Sequence, residues 1–394
     1  MTAWNKFLFL LFLCSACNTA PISKVITVSE TAGLAREIEY VSAVLSVEER
    51  LKENEIIVAT DQESGESFLI QVSETLKQNK GFELSILFPI NLAANQTKTF
   101  ELRIEQKMSE ALPVQLMLSE NQLSVENKYY QVYFSESDDQ RGGQVNGIRL
   151  KNFNNQLLKR GHIAMHWAPN FSKRDSENYF NLEDLPPSSA NVIEREQYRV
   201  LKKRSGITDS VPEIQIKAQY EFLADLPYVI FESTMTMKDE VILDLLRNDE
   251  MTMDSLFTHV AYSKKDGSTH RLKLYDKELD FLEKNPIDDD AEWVAFYNQD
   301  KRYGFGSIRL AYDITNLEGG KSPTYKPYTK ISKASSNGRY WNRVISDTIQ
   351  TFAKGSKYYE KNAYLIFEVD QEIPEKEVLH FNASLRSPLK VKVQ

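Results

Sequence analysis

The chain has 394 residues, 41% of them hydrophobic, which is enough for one large domain or two unequal ones. Its 56 acidic against 48 basic residues leave a formal net charge of -8, which disfavours a nucleic-acid partner because a phosphate backbone needs a basic footprint. Both cysteines, Cys14 and Cys17, stand close to the N-terminus, so no disulfide braces the rest of the chain and a large core must stabilise it.

In chain order, Lys6 is followed by the apolar run Phe7 to Leu13 and then by the small residues Ser15 and Ala16, a signal-peptide pattern. The run is roughly half the ~20 residues of a membrane-spanning helix. The segment LCSAC, ending at Cys17 and followed by Asn18, resembles a bacterial lipoprotein cleavage site. That implies a signal and lipidation segment over residues 1–17, with lipid on Cys17 making the membrane a partner. The expected location is periplasmic, or anchored at the outer membrane or cell surface. No second hydrophobic span follows.

Beyond Cys17 the chain reads as successive strands. EIIVAT at 55–60, SFLIQVS at 67–73, FELSILFPI at 82–90 and KTFELRI at 98–104 are strand-length runs separated by turn-forming segments. They predict a small β-sandwich domain over residues 20–108, ending in a polar passage from Gln106 to Glu110. A second domain is expected over 112–394. Its clearest strand is EIQIKAQYEF, in which Ile214, Ile216, Ala218, Tyr220 and Phe222 alternate with polar residues. YYQVYFS at 129–135, YVIFESTMTM at 228–237, SIRLAYDIT at 307–315, AYLIFEV at 363–369 and VLHFNASL at 378–385 are further strand candidates. Short helices are expected only near DEVILDLLR and RVISDTIQTFAK. The predicted class is all-β, with large antiparallel sheets packed face to face.

Three blocks of the second region carry more polar chemistry than a sheet core needs. In GHIAMHWAPNF, residues 161–171, His162 and His166 share one face of a strand, and His166 beside Trp167 suits a sugar-binding cleft. A third zinc ligand with recognisable spacing is missing, so no metal site is assigned. In LLRNDEMTMDSLFTHVAY, residues 245–262, Arg247, Asn248, Asp249, Glu250, Asp254 and His259 alternate with apolar residues that draw part of the polar set toward the core. This block reads either as a structural Arg247-carboxylate network or as a site, with Arg247 or Asn248 on a substrate anion and His259 exchanging a proton. The third block pairs Arg302 with Tyr303 and returns as Arg339, Tyr340, Trp341 and Arg343. Arginine forks bind carboxylates and aromatic faces bind sugar rings, although cation-π packing alone explains the same pattern. The Asp288-Asp289-Asp290 run reads as a solvated loop, with a structural Ca2+ as its second reading. No other cofactor is expected.

The leader, the small β domain and the segments MHWAPNF, RNDEMTMDSLFTHVAY, YGFGSIRLAY, GRYWNR and KGSKYYEKNAYLIFEV together resemble secreted lipoproteins of Bacteroidota polysaccharide-degradation systems. The resemblance covers most of residues 20–394. It implies the β-supersandwich of galactose-mutarotase-like proteins, which also occurs in polysaccharide lyases, and an acidic polysaccharide or oligosaccharide as partner. The ordered histidine-glutamate arrangement of the mutarotases is not found, nor is the helical toroid of many lyases.

On this reading the chain is a lyase that cleaves a uronate-containing glycan by β-elimination. Arg302, Arg339, Arg343 or Asn248 would hold the carboxylate, and His166 or His259 would take the C5 proton. Tyr303 or Tyr340 would protonate the departing oxygen, or act as the base. Trp167, Trp341 and Arg247 complete the expected contacts. Two alternatives stand beside it. One is a hydrolase with an acid/base pair drawn from Asp249, Glu250 and Asp254, and the other is a surface protein that binds glycan without cleaving it.

Overall fold

A computed structural model describes residues 21–106, 116–136, 142–161, 164–176, 178–185, 190–275, 277–334 and 337–394. The signal segment with Cys17, residues 107–110 of the polar passage, and His162 lie outside the described residues. These divide into two compact units, one within residues 1–111 together with Leu389–Gln394, the other within 112–388. Among the described residues no helix is long and apolar enough to cross a membrane.

The first unit contains β1 (Pro21–Ser29), β2 (Arg36–Val47), β3 (Glu55–Asp61), β4 (Ser67–Lys77), β5 (Phe82–Leu92) and β6 (Thr97–Gln106), in the order β2-β5-β4-β3-β6-β1. The long strand β4 serves both halves. Its first residues pair with β3 (Ile57↔Ile70), whereas from Gln71 onward it pairs with β5 and shifts register between Val72 and Glu74. That change of partner folds the sheet over one core, to which β1 contributes Ile26 and Val28, β2 Val41 and Leu45, and β5 Leu84, Ile86 and Phe88. Lys390–Val393, expected in the second domain, forms the edge strand beside β1 (Ile26↔Val393). Its alternating KVKV pattern is satisfied by any open strand edge, so sequence position alone misassigns it.

The second unit begins with β7 (Met117–Leu118), β8 (Ser124–Glu126), β9 (Tyr130–Phe134), β10 (Val145–Leu150) and β11 (Gln156–Lys159), which form one sheet in the order β11-β10-β9-β8-β7. Then come β12 (Asn170–Lys173), β13 (Phe180–Asn181), β14 (Ala190–Arg195), β15 (Arg199–Thr208), β16 (Val211–Leu223), β17 (Tyr228–Met237) and β18 (Val241–Met253). After them run β19 (His259–Ser263), β20 (Thr269–Lys273), α1 (Lys277–Lys284), β21 (Ile287–Asp288), β22 (Trp293–Asn298) and β23 (Tyr303–Tyr312). The unit ends with β24 (Tyr328–Lys333), β25 (Arg339–Ser346), β26 (Gln350–Phe352), β27 (Lys357–Glu368) and α2 (Lys376–Arg386).

A nine-stranded sheet, β14-β15-β16-β17-β27-β23-β22-β19-β20, forms one layer. The opposing layer is shared. Phe134 of β9 meets Tyr220 and Phe222 of β16, both at 5.9 Å, while Trp341 of β25 meets Phe296 of β22 at 4.8 Å. The shorter sheet β7–β11 and the sheet β13-β12-β18-β25-β24-β21 therefore cover the long one together, and His166 ties them, its N–H donating to Val145 O of β10 while it bridges Met251 of β18. This is an all-β supersandwich of antiparallel sheets.

Three segments depart from their expected conformation. DEVILDLLR enters β18, because Val241, Leu243 and Leu245 are buried at period two, and RVISDTIQTFAK supplies β25 and β26. Conversely, VLHFNASL lies in α2, which buries Val378 and Ser384 and sets Phe381 against Tyr228 at 5.6 Å. Short apolar runs fit both periods, and tertiary packing decides between them.

Candidate functional site

β18 is the element around which polar groups gather, and a β-bulge sorts them. Its pairing with β25 runs Arg247↔Val344 and Asn248↔Arg343, then resumes at Met251↔Trp341, so Asp249 and Glu250 together oppose Asn342. Asp249 takes the left-handed conformation (φ +48°), which aspartate tolerates better than most residues. The extra residue turns Asp249 inward beneath Trp341 and leaves Glu250 on the outer face of the sheet.

That outer face is assembled by register. Asn170, Arg247, Val344 and Tyr328 are successive partners across β12, β18, β25 and β24, while Thr252, Tyr340 and Ser332 form a second row and Asn342 faces Lys330. Partners in antiparallel pairs point to the same side. Glu250 accepts from Asn170 Nδ2 at 3.3 Å and lies 3.7 Å from Arg247 Nη1. Burial pushes its carboxyl above the usual range, and the Arg247 guanidinium pulls it back. Tyr328 donates to Asp347 Oδ2 at 2.6 Å, and burial together with that carboxylate raises its phenol. The backbone N–H of Trp167 donates to Glu250 O at 3.0 Å, which places the indole-bearing residue beside the acid.

Both side-chain atoms of Asn342, Oδ1 of Asn170 and Nε of Arg247 are buried without a hydrogen-bond partner among the described residues. Each such group costs about 1–3 kcal/mol if left unpaired. Their neighbours Arg247, Tyr328, Lys330, Tyr340 and Trp167 are only half-buried, so this face can be approached from outside. Asn342 and Asn170 are themselves 0% and 2% exposed and stay beneath this face, so the arginine, the carboxyl and the two phenols are the groups that can meet a polar ligand there.

The inner side is a sealed network. Asp249 accepts from Arg309 Nε, Tyr312 OH and Trp341 Nε1, each at 3.1 Å, and its own N–H donates to Glu360 Oε2 at 2.8 Å. Glu360 also accepts from Ser233 and Asn362. Burial first, and the Asp249 charge second, push its carboxyl up to about 8. Arg343 grips Asp289 with two bonds, at 2.6 and 2.9 Å, and reaches Asp313 at 3.2 Å. Asp249, Glu360 and Asn362 are 0% exposed, so this network braces the two layers and cannot touch a polymer.

The structure thus separates the residues nominated from sequence. Trp167, Arg247, Glu250 and Tyr340 come together on the outer face. Asn248, Asp249, Trp341 and Arg343 turn inward and are buried, a correction forced by strand alternation and the bulge. His166 is also corrected as a base. It is 0% exposed, held by Tyr220 OH at 2.6 Å and Tyr364 OH at 3.1 Å, and burial lowers its imidazole to about 3. Tyr303 is buried and donates to Leu256 O, which removes it from catalysis. Arg339 spends its donors on the carbonyls of Leu274, Asn337 and Gly338, and Arg302 pairs with Glu368 at 2.9 Å. Asp254 pairs with Arg160 at 3.0 Å, and His259 stands apart at the rim of a separate cavity. Among the described residues no three His, Cys, Asp or Glu side chains are grouped to hold a metal, and Asp289 of the acidic run is committed to Arg343. Asn170, Asn342, Tyr328 and Lys330 were not singled out in sequence. Their only signal is strand alternation once the β18-β25 register is known.

No family model matches the chain, and no curated protein matches it in sequence. Among solved structures it is similar to a protein of glycoside hydrolase family 38 from Enterococcus faecalis, with TM-score 0.53 and 10% identity over 94% of this chain and 47% of that one. It is also similar to a family 36 α-galactosidase from Geobacillus stearothermophilus (TM-score 0.39, 7% identity, 62% of this chain and 40% of that one). A third likeness is to a GalM/aldose epimerase homologue from C. elegans (TM-score 0.34, 11% identity, 61% and 100%). The chain spans less than half the length of these two glycoside hydrolase structures, and what it shares with the family 38 protein is a fold, without the identity that would carry an activity.

Proposed function

We propose that this chain is an exported carbohydrate-active enzyme that cleaves a uronate-containing glycan by β-elimination on the outer face of the β18-β25-β24 sheet. The observation that carries the proposal is the convergence there of Arg247, Glu250 and Tyr340, two of them half-buried and open to that side. Arg247, half-buried on this face, binds the uronate carboxylate and stabilises the charge that develops as the C5 proton leaves. Drawing Arg247 onto the substrate weakens its 3.7 Å contact with Glu250, which raises the basicity of a carboxyl already shifted upward by burial. Glu250 takes the C5 proton, the electron pair forms the C4-C5 double bond, the C4-O4 bond breaks and Tyr340 protonates the departing oxygen. Trp167 beside Glu250 offers a face to an adjoining sugar ring.

The test is a panel of acidic polysaccharides followed by far-ultraviolet absorbance and reducing-end formation. Both should rise together with wild-type protein, and Arg247→Ala, Glu250→Gln and Tyr340→Phe should each lower the rate on the order of 10²-fold. Reducing ends without absorbance would replace elimination by hydrolysis, and retention without shortening would leave a binding protein. For placement, we propose lipid on Cys17: metabolic lipid labelling should mark the precursor's product and Cys17→Ala should abolish the mark, whereas an unlabelled wild-type protein would sink the anchor.

A further inference from the structure

The rim cavity at His259 lies at the β19-β20 end of the nine-stranded sheet, and none of the outer-face residues Arg247, Glu250, Tyr340 and Trp167 lines it. Thr258, His259, Lys273, Tyr275, Gln299 and Asp300 line about 280 Å³. β19, β20 and β22 set its walls, since His259 is the register partner of both Lys273 and Tyr297, and the turn after β22 brings Gln299 and Asp300.

The walls are fixed before any ligand arrives. Tyr275 is 44% exposed, yet its ring is held by the Arg339 guanidinium 4.1 Å from its centroid. Arg339 is itself pinned by the carbonyls of Leu274, Asn337 and Gly338 at 2.8–3.1 Å. The His259 imidazole stacks on Tyr297 at 5.1 Å with 12° between planes, and its Nδ1 lies 2.8 Å from Thr258 Oγ1. Thr258 Oγ1 in turn accepts the Gln299 N–H at 3.1 Å. A preformed aromatic face surrounded by donors and acceptors suits a ring that is apolar on its face and hydroxylated at its edge.

We propose that this cavity is a second binding site, for one non-ionic sugar unit. The charges favour a neutral guest, because Lys273 and Asp300 cancel and no arginine fork faces the cavity. The volume lies just below the ~300–1,000 Å³ typical of small-molecule pockets, which suits a single ring and not a chain. Such a site would hold a neutral branch or chain end and raise the local concentration of glycan, whether or not the outer face is catalytic.

Saturation-transfer NMR with non-ionic xylo-, manno-, galacto- and gluco-oligosaccharides tests this on the full chain. At least one series should bind wild-type protein, Tyr275→Ala and Gln299→Ala should weaken it tenfold or more, and Tyr275→Phe should retain it. Arg247→Ala, placed in the other site, should leave this binding unchanged, which separates failure here from failure of the eliminase reading. If circular dichroism shows folded Tyr275→Ala and Gln299→Ala proteins that bind like wild type, or if no non-ionic series binds, the proposal is overturned.

Discussion

Asp249→Ala should cost about 3–5 kcal/mol of folding stability, the range for removing one partner of a buried ion pair. Asp249 and Arg309 are both nearly inaccessible, with side chains 0% and 3% exposed, and Arg309 Nη2 already lacks a partner among the described residues. Loss of the carboxylate strands the Arg309 charge and takes the acceptor from Trp341 Nε1, while Tyr312 OH is left with Asn362 Oδ1 alone, at 2.9 Å. Alanine also fits the φ of +48° poorly, so the bulge itself loses support. Urea midpoints of wild type, Asp249→Ala and the double variant Asp249→Ala/Arg309→Met decide the matter. The second substitution removes the stranded charge and should recover at least ~1 kcal/mol, a coupling expected of groups in direct contact. A loss below ~1 kcal/mol in the single variant, or no recovery in the double, would show that the network is not what braces the two layers.

How much of this was legible beforehand depends on which interaction decides each residue. Strand patterns set by a half-buried sheet were plain: Ile214, Ile216, Ala218, Tyr220 and Phe222 are all buried as their alternation requires. VLHFNASL was not plain, because its apolar residues satisfy two periods and only packing against Tyr228 selects the helix. The site followed the same division. Arg247, Glu250, Tyr340 and Trp167 were recognisable as chemistry in blocks, but one residue of bulge in β18 decides that Asp249 faces in and Glu250 faces out. A one-residue change of phase inverts a strand's faces and leaves no mark in composition. Asn342 lay unnoticed inside GRYWNR because its meaning is spatial. It stands across from Lys330 and opposite the bulge, with its amide unpaired.

Stability should be greatest on a plateau between about pH 4.5 and 6.5 and should fall on both sides, with Glu360 setting the alkaline limb. In the folded chain Glu360 keeps its proton up to about pH 8, while in the unfolded chain it ionises around its ordinary value of 4.5. Between those values the native state holds a proton that the unfolded state has released, so stability declines as pH rises, by about 1.4 kcal/mol per unit at most. His166 works in the opposite direction. Its folded value of about 3 lies below the ordinary 6.5, so its contribution is complete above 6.5 and is lost as pH falls toward 3. From 4.5 to 6.5 the two slopes oppose each other, and above 6.5 Glu360 acts without that compensation. Glu360→Gln is the decisive variant, because glutamine mimics the protonated acid: its oxygen can accept from the Asp249 N–H and Asn362, while its amide faces the Ser233 hydroxyl. Urea unfolding at half-unit intervals from pH 6 to 8.5 should show the wild-type decline flattened in Glu360→Gln, with the variant gaining on wild type as pH rises. Parallel declines in the two proteins would assign the alkaline limb to other groups.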